Sequence, residues 1–253
     1  MNTNAILQNV DHRPYPLASG PWVMRQSWHE LLFAHWPIRP NTLRPLIPQS
    51  LTLDTFAGEC WIGVVPFYMT QVSPRSIPAV PWLSTFPELN VRTYVTVHDK
   101  PGVYFFSLDA GNPIAVAIAR SLFHLPYFNA SMSHRRHGDT IDYRSQRTHK
   151  NAPKADFVAR YRPIATPFHA QPGTLEYFLV ERYCLYTVIK QHGIDEVYRG
   201  EIHHAPWLLQ VAELESTHNT MALAAGIHLP DTPPLLYYGQ LQEVLIWPLG
   251  QVT

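Results

Sequence analysis

Lysine is almost missing from this chain. Only Lys100, Lys150, Lys154 and Lys190 occur among 253 residues, against 15 arginines. Lys100 stands in a Pro-Gly turn, Lys150 and Lys154 in a hydrophilic stretch, and Lys190 at the end of an apolar run. None has the lysine neighbour or apolar surroundings that would bring an amine down from about 10.4 to where it attacks a carbonyl. An excess of charge of one sign is also absent, since Lys plus Arg and Asp plus Glu number 19 each. No basic field gathers phosphates, which sets nucleic acid aside as a partner. The longest aliphatic run, Ile114 to Ala119, ends at Arg120 and is too short to cross a bilayer. Met1 to Pro14 hold no basic stretch followed by an apolar one, so the expectation is a cytoplasmic protein without a membrane partner. Cysteine is limited to Cys60 and Cys184, each inside a strand-like apolar run, where a buried reduced thiol is expected. The chain contains no G-x-S-x-G, no P-loop and no G-x-G-x-x-G, which leaves hydrolase, nucleotide and dinucleotide readings without their motifs.

What is plentiful is core-forming material: 46% hydrophobic and 12% aromatic residues argue for a folded chain. Residues 1–20 read as a loose polar arm that can pack on the body or on a neighbour, and 21–253, which no linker divides, as one β domain. Strands are expected over Val23–Trp36, Gly58–Thr70, Glu88–His98, Val103–Leu108, Ala130–Arg136, Ile141–Arg147, Phe157–Arg162, Tyr183–Lys190, Glu196–His203 and Leu208–Glu215. Helices are expected over Asn112–His124, with Asn112 as cap, Thr174 to about Arg182, and Thr217–Gly226. The proline-rich segment Ser73–Pro87 reads as a long loop. The fold class is therefore mainly β, β-rich α+β, as an antiparallel closed or nearly closed barrel or cone with a few covering helices.

The most informative strand is Glu88–His98. Leu89, Val91, Thr93, Val95 and Val97 take one face, and Glu88, Asn90, Arg92, Tyr94 and Thr96 the other. If the apolar row packs into an outer layer, the polar row lines a cleft. Arg92 then holds a carboxylate, Asn90 orients it, and Glu88 supplies a proton once burial raises its pKa. The other reading, a solvated polar face on a half-buried strand, stays open. Arg120 either joins the same cleft or lies on the helix surface. The histidines of Glu201-Ile202-His203-His204 and His134-Arg135-Arg136-His137 do not complete a recognisable ligand set, so no metal and no other cofactor is expected.

Five segments, Met24–Trp28, Trp61–Phe67, Phe86–Tyr94, Glu181–Tyr186 and Gly200–Trp207, resemble the YqjF-like family of uncharacterised bacterial proteins, whose wider kinship is with the acetoacetate decarboxylase superfamily. The resemblance implies a β-rich cone or barrel around a small-molecule cavity. In that superfamily a Gly-Arg-Glu element leads into Pro-Lys-Lys, one lysine forming an imine and the other depressing its pKa. The matching stretch here is Ala119-Arg120-Ser121 leading into Leu125-Pro126-Tyr127-Phe128. The arginine and proline agree, whereas Tyr127 and Phe128 replace both lysines. Glu88 matches the superfamily's catalytic glutamate. The alternation and the resemblance together point to Glu88 and Arg92 as the catalytic pair, with Asn90, Tyr94, Arg120 and Tyr127 around a carboxylate- or carbonyl-bearing ligand and no Schiff-base chemistry. The alternative is a non-enzymatic sensor or interaction module, or a homo-oligomer, with Trp82, Trp207, Trp247 and the proline-rich loop at an interface.

Overall fold

A computed structural model describes residues 2–80, 82–191 and 194–252, so Pro81 of the proline-rich segment lies outside the described residues. Within them, one sheet is built from β1 (Met24–Ile38), β2 (Thr52–Leu53), β3 (Cys60–Pro74), β4 (Phe86–Val97), β5 (Lys100–Ala110), β6 (Tyr127–His137), β7 (Thr140–Arg147), β8 (Asp156–Pro163), β9 (Phe168–His169), β10 (Cys184–Gln191), β11 (Ile194–His203), β12 (Leu208–Asn219) and β13 (Leu235–Gln251). The helices are short: α1 (Thr3–Gln8), α2 (Pro40–Leu43), α3 (Pro113–Phe123) and α4 (Leu175–Val180).

β1, β3 and β4 form the central wall, β3 lying between the other two and antiparallel to both, with Val64 opposite both Ala34 and Val91. The run Leu31-Leu32-Phe33-Ala34 has no polar alternate, as expected for a strand covered on both faces. Leu32, Ala34, Val64, Leu89 and Val91 pack against Tyr143, Phe157 and Tyr161 of the second layer, β6–β8 with β12. Leu31, Phe33, Val65, Phe67 and Phe86 face the other way, into a separate cluster. β4 is therefore not half-buried as its alternation suggests: the layer over Leu89 and Val91 covers one face, and a cavity lies against the other.

Two strands branch. β5 runs antiparallel to β4 along its length, while its first half pairs in parallel with β10 and its second half in parallel with β6. β13 pairs with β1, β11 and β12. Consequently β4, β3, β1, β13, β11, β10 and β5 follow one another around the cavity, and β6, β7, β8 and β12 fold over the opposite face of the wall. This is a branched sheet rather than one regular barrel. Its two parallel ladders depart from the all-antiparallel expectation, the α3 crossover between β5 and β6 supplying the connection that one of them needs. Where β10 meets β5, Gly102 has no room for a side chain, since a Cβ would sit 2.8 Å from the Cys184 carbonyl oxygen.

Two local expectations are corrected. Thr217–Asn219 continue β12, pairing with β8, and only a 3-10 turn at Leu223–Ala225 precedes Gly226, whose φ is 79°. The ladder to β8 outweighs the local helical pattern. The arm is also not loose. Asn2 caps α1, His203 Nε2 donates to the Ile6 carbonyl at 2.8 Å, and Arg13 donates to the Ile202 carbonyl at 3.0 Å.

One buried ion pair joins the layers. Arg147 on β7 donates through Nε and Nη2 to the two carboxylate oxygens of Asp109 on β5, at 2.7 and 2.6 Å, and its guanidinium lies 4.0 Å from the Phe128 ring centroid. Removing one partner leaves the other charged and desolvated. Asp109→Asn or Arg147→Met is expected to cost about 3–5 kcal/mol, read from the denaturant midpoint, with the double variant costing less than the sum of the two singles.

Candidate ligand-binding cavity

Residues two apart on a strand share a face, so β4 presents Phe86, Glu88, Asn90 and Arg92 in one row toward the interior. That row lines a cavity of about 270 Å³. Its other walls are apolar: Trp28 and Leu31 of β1, Phe67 and Met69 of β3, Val103 and Phe105 of β5, and Ala115 and Ile118 of α3. Asn112 fixes the entry of α3 by accepting from the Ile114 and Ala115 amides, both at 3.1 Å. The shallow end of the cavity is formed by Met24, Val72, Pro74 and Leu83, and the deep end by Arg92, Val180, Arg182, His204 and Trp207.

Glu88 is 3% exposed. The Tyr127 hydroxyl donates to its Oε2 at 2.9 Å, and its backbone carbonyl accepts from Tyr143 at 2.7 Å. Burial pushes the carboxyl up to about 8; the charge of Asp109 adds to the rise and the Tyr127 hydrogen bond opposes it. Glu88 therefore carries its proton at neutral pH. Asn90 is buried, and its Oδ1 has no hydrogen-bond partner among the described residues.

Arg92 lies at the deep end. One Nη donates to the Leu179 carbonyl at 3.3 Å, the guanidinium sits 5.4 and 5.8 Å from the Phe33 and Tyr94 centroids, and Nε is buried without a partner. No carboxylate pairs with it among the described residues. Arg182, beside it, donates to Asp54 at 2.6 Å and to the Phe178 carbonyl at 2.6 Å, so its charge is already met. A half-buried arginine without a counter-ion in an apolar chamber is a place for an anion.

Four of the six residues singled out in the sequence, Glu88, Asn90, Arg92 and Tyr127, thus meet in one cavity. Tyr94 continues the same row but does not line it, because α4 covers that end and the hydroxyl donates to the Leu179 carbonyl at 2.8 Å, with His35 Nε2 2.6 Å away. Arg120 lies outside as well. α3 turns Ala115, Ile118 and Ala119 inward, and Arg120 is exposed, donating to the Tyr127 carbonyl at 2.6 Å. It secures the start of β6 from the surface. Arg182 and His204 were not anticipated in the cavity, since they follow α4 and β11 where neither periodicity applies. Burial holds His204 down to about 4. The remaining three histidines of the two clusters have partners outside the cavity, His203 the Ile6 carbonyl, His134 Glu30 at 2.7 Å and His137 Asp142 at 3.6 Å.

A model of the DUF2071 family, described as uncharacterized conserved proteins, matches residues 25–243. The chain belongs to this family. A curated DUF2071 relative, the uncharacterized protein YqjF of Bacillus subtilis (strain 168), is 51% identical over 230 residues, covering 91% of this chain and 93% of its own. Acetoacetate decarboxylase from Legionella pneumophila matches with a TM-score of 0.67 at 12% identity, covering 98% of this chain and 95% of that one. MppR, an enduracididine biosynthesis enzyme complexed with pyruvate, matches with a TM-score of 0.62 at 10% identity, covering 93% of each. The DUF2071 chain thus has an acetoacetate decarboxylase-like fold. None of its four lysines lines the cavity; Lys100, for example, pairs with Glu201 and lies 3.9 Å from the Tyr15 ring centroid.

The raised pKa of Glu88 makes stability depend on pH. Between 4.5 and about 8 the folded chain keeps a proton that the unfolded chain releases, so this carboxyl destabilises the fold progressively as pH rises through that window. Glu88→Gln, which cannot ionise and still accepts from Tyr127, is expected to gain on the order of 3–5 kcal/mol relative to wild type between pH 5 and pH 9. Paired urea titrations at the two pH values measure this, and equal differences at both would remove the buried-acid assignment.

Proposed function

We propose that the cavity binds a small metabolite bearing a carboxylate or carbonyl group, with Arg92 receiving the anion and neutral Glu88 as the acid of any proton transfer. A protonated carboxyl in an apolar site donates to a carbonyl oxygen and polarises it, and Tyr127 holds it in place. Asn90 offers its unpartnered oxygen to a donor on the ligand. The observation that carries this reading is Arg92, a cation in a mainly apolar chamber with no carboxylate among the described residues to neutralise it. The likeness to a pyruvate-complexed enzyme supports the same ligand chemistry. With no lysine at the cavity, the chemistry proceeds without an imine.

A second reading, a ligand sensor or an interaction module, is favoured by large apolar side chains left at the surface, Trp82 being 70% exposed and Ile77 and Leu122 exposed as well. Trp207 and Trp247 do not belong to such a surface, because both are buried and the Trp247 indole donates to the Gly20 carbonyl.

Two measurements test the primary reading. A thermal-shift screen of keto acids and monocarboxylates is expected to give concentration-dependent stabilisation in wild type that is lost in folded Arg92→Met; an absence of any Arg92-dependent hit would sink the assignment. Incubation with acetoacetate followed by borohydride is expected to leave the intact mass unchanged. A stoichiometric reduced adduct on any of the four lysines would overturn the imine-free chemistry.

A further inference from the structure

The polar groups of the cavity are strung out along its length. Glu88 and Arg92 are four residues apart on one strand, a separation of roughly 13 Å at ~3.3 Å per residue. Side-chain direction does not close the gap. The Arg92 guanidinium leans toward Tyr94 and the Leu179 carbonyl, the acceptor that Tyr94 also uses, on the side away from Glu88. A three- or four-carbon keto acid seated on Arg92 therefore leaves Glu88 out of reach.

The surroundings between and beyond these two groups are hydrocarbon. Past Glu88 the chamber continues through Phe67, Met69 and Phe86 to Val72, Pro74, Leu83 and Ile118 at the shallow end. The register places these on consecutive levels, Gly63 opposite Arg92, Phe67 opposite Glu88, and Met69 opposite Phe86. The surface stays apolar outside the chamber, where Ile114 and Leu122 of α3 are exposed.

Building on the carboxylate role of Arg92, we infer that the ligand is an elongated, mainly apolar carboxylic acid. Its carboxylate sits on Arg92 at the deep end and its chain runs past Asn90 and Glu88 toward Val72 and Leu83. At roughly 1.2 Å per bond of an extended chain, an oxygen function placed against Glu88 stands on the order of eight to ten bonds from the carboxylate. A chain of about that length spans the stretch from Arg92 to Glu88, and a longer one continues past Phe67 and Met69. Arg92 supplies the anion site, Asn90 and Glu88 read a polar group partway along, and the apolar walls reward chain length.

The test is a calorimetric or thermal-shift series of pyruvate, acetoacetate, butyrate, hexanoate, octanoate and decanoate, with 1-decanol as the uncharged control. Wild type, Arg92→Met and Phe67→Trp are compared, each first shown to be folded by circular dichroism. Affinity in wild type is expected to rise about fourfold per methylene up to octanoate or decanoate. Arg92→Met is expected to weaken octanoate at least tenfold and leave decanol unchanged, while Phe67→Trp, at the level of Glu88, weakens decanoate and spares hexanoate. Pyruvate or acetoacetate binding as tightly as decanoate, with loss in Arg92→Met, would overturn the elongated ligand and leave the carboxylate site standing. Decanol matching decanoate with no effect of Arg92→Met would overturn both, as would no binding by any probe. Decanoate binding unchanged by Phe67→Trp would overturn the assigned course of the chain.

Discussion

The Asp109–Arg147 pair holds the position of nearly everything that gives this molecule its interior. β5 is the strand where the sheet divides, and Asp109 lies in the half that leaves β10 and turns to β6. By clamping that half to β7, Arg147 fixes the layer that covers the central wall and, through it, the start of β6 where Tyr127 stands. The neighbouring residue, Ala110, is the register partner of Glu88. The same carboxylate that fastens the layers helps to keep Glu88 protonated, so architecture and acidity share one source. Desolvation makes such a pair costly to form and costlier to halve, and that ties the site's chemistry to the fold's integrity.

The central wall explains why the polar row of β4 is exceptional. Its outer face is filled by aromatic side chains of the second layer, including Tyr143 and Tyr161, whose hydroxyls reach through to backbone carbonyls of Glu88 and Glu30. On the inner face, side chains such as Phe67 and Phe86 line a cavity instead of closing over the row. Glu88, Asn90 and Arg92 thus meet an interior that neither solvates them nor pairs them fully. Each manages differently: Glu88 by keeping a proton, Arg92 by a carbonyl and two ring faces, and Asn90 by leaving an acceptor unmet.

Much of this was legible wherever local chemistry and tertiary packing agree. The alternation of Glu88–Val97, the cap at Asn112 and the turn at Gly138, with φ 63°, all mark their elements from sequence alone. Agreement ends where long-range pairing decides. Thr217–Asn219 carry no strand signal of their own and are drawn into β12 by β8. β13 went unread because Gly239, Gln240, Gln242 and Pro248 interrupt its alternation, although the strand joins three others. Within the site, alternation correctly groups Tyr94 with Arg92 on one face but contains nothing about α4, which covers Tyr94. Helical periodicity likewise leaves Arg120 open, and only the packing of Ala115, Ile118 and Ala119 decides which side turns inward.

The parallel ladder between β5 and β10 consists of two residue pairs, Val103 with Leu185 and Tyr104 with Tyr186. Beyond it the strands part, and a groove opens on the outside between Tyr104, Thr187 and Lys190. Phe105 and Leu125 border this groove and the cavity alike. The partition at that seam is one side chain thick. Rotation of either side chain is the smallest motion that could join the chamber to bulk water there, giving the interior a rear vent remote from Val72 and Leu83 and separating the path by which water and protons exchange from the path by which a larger molecule enters.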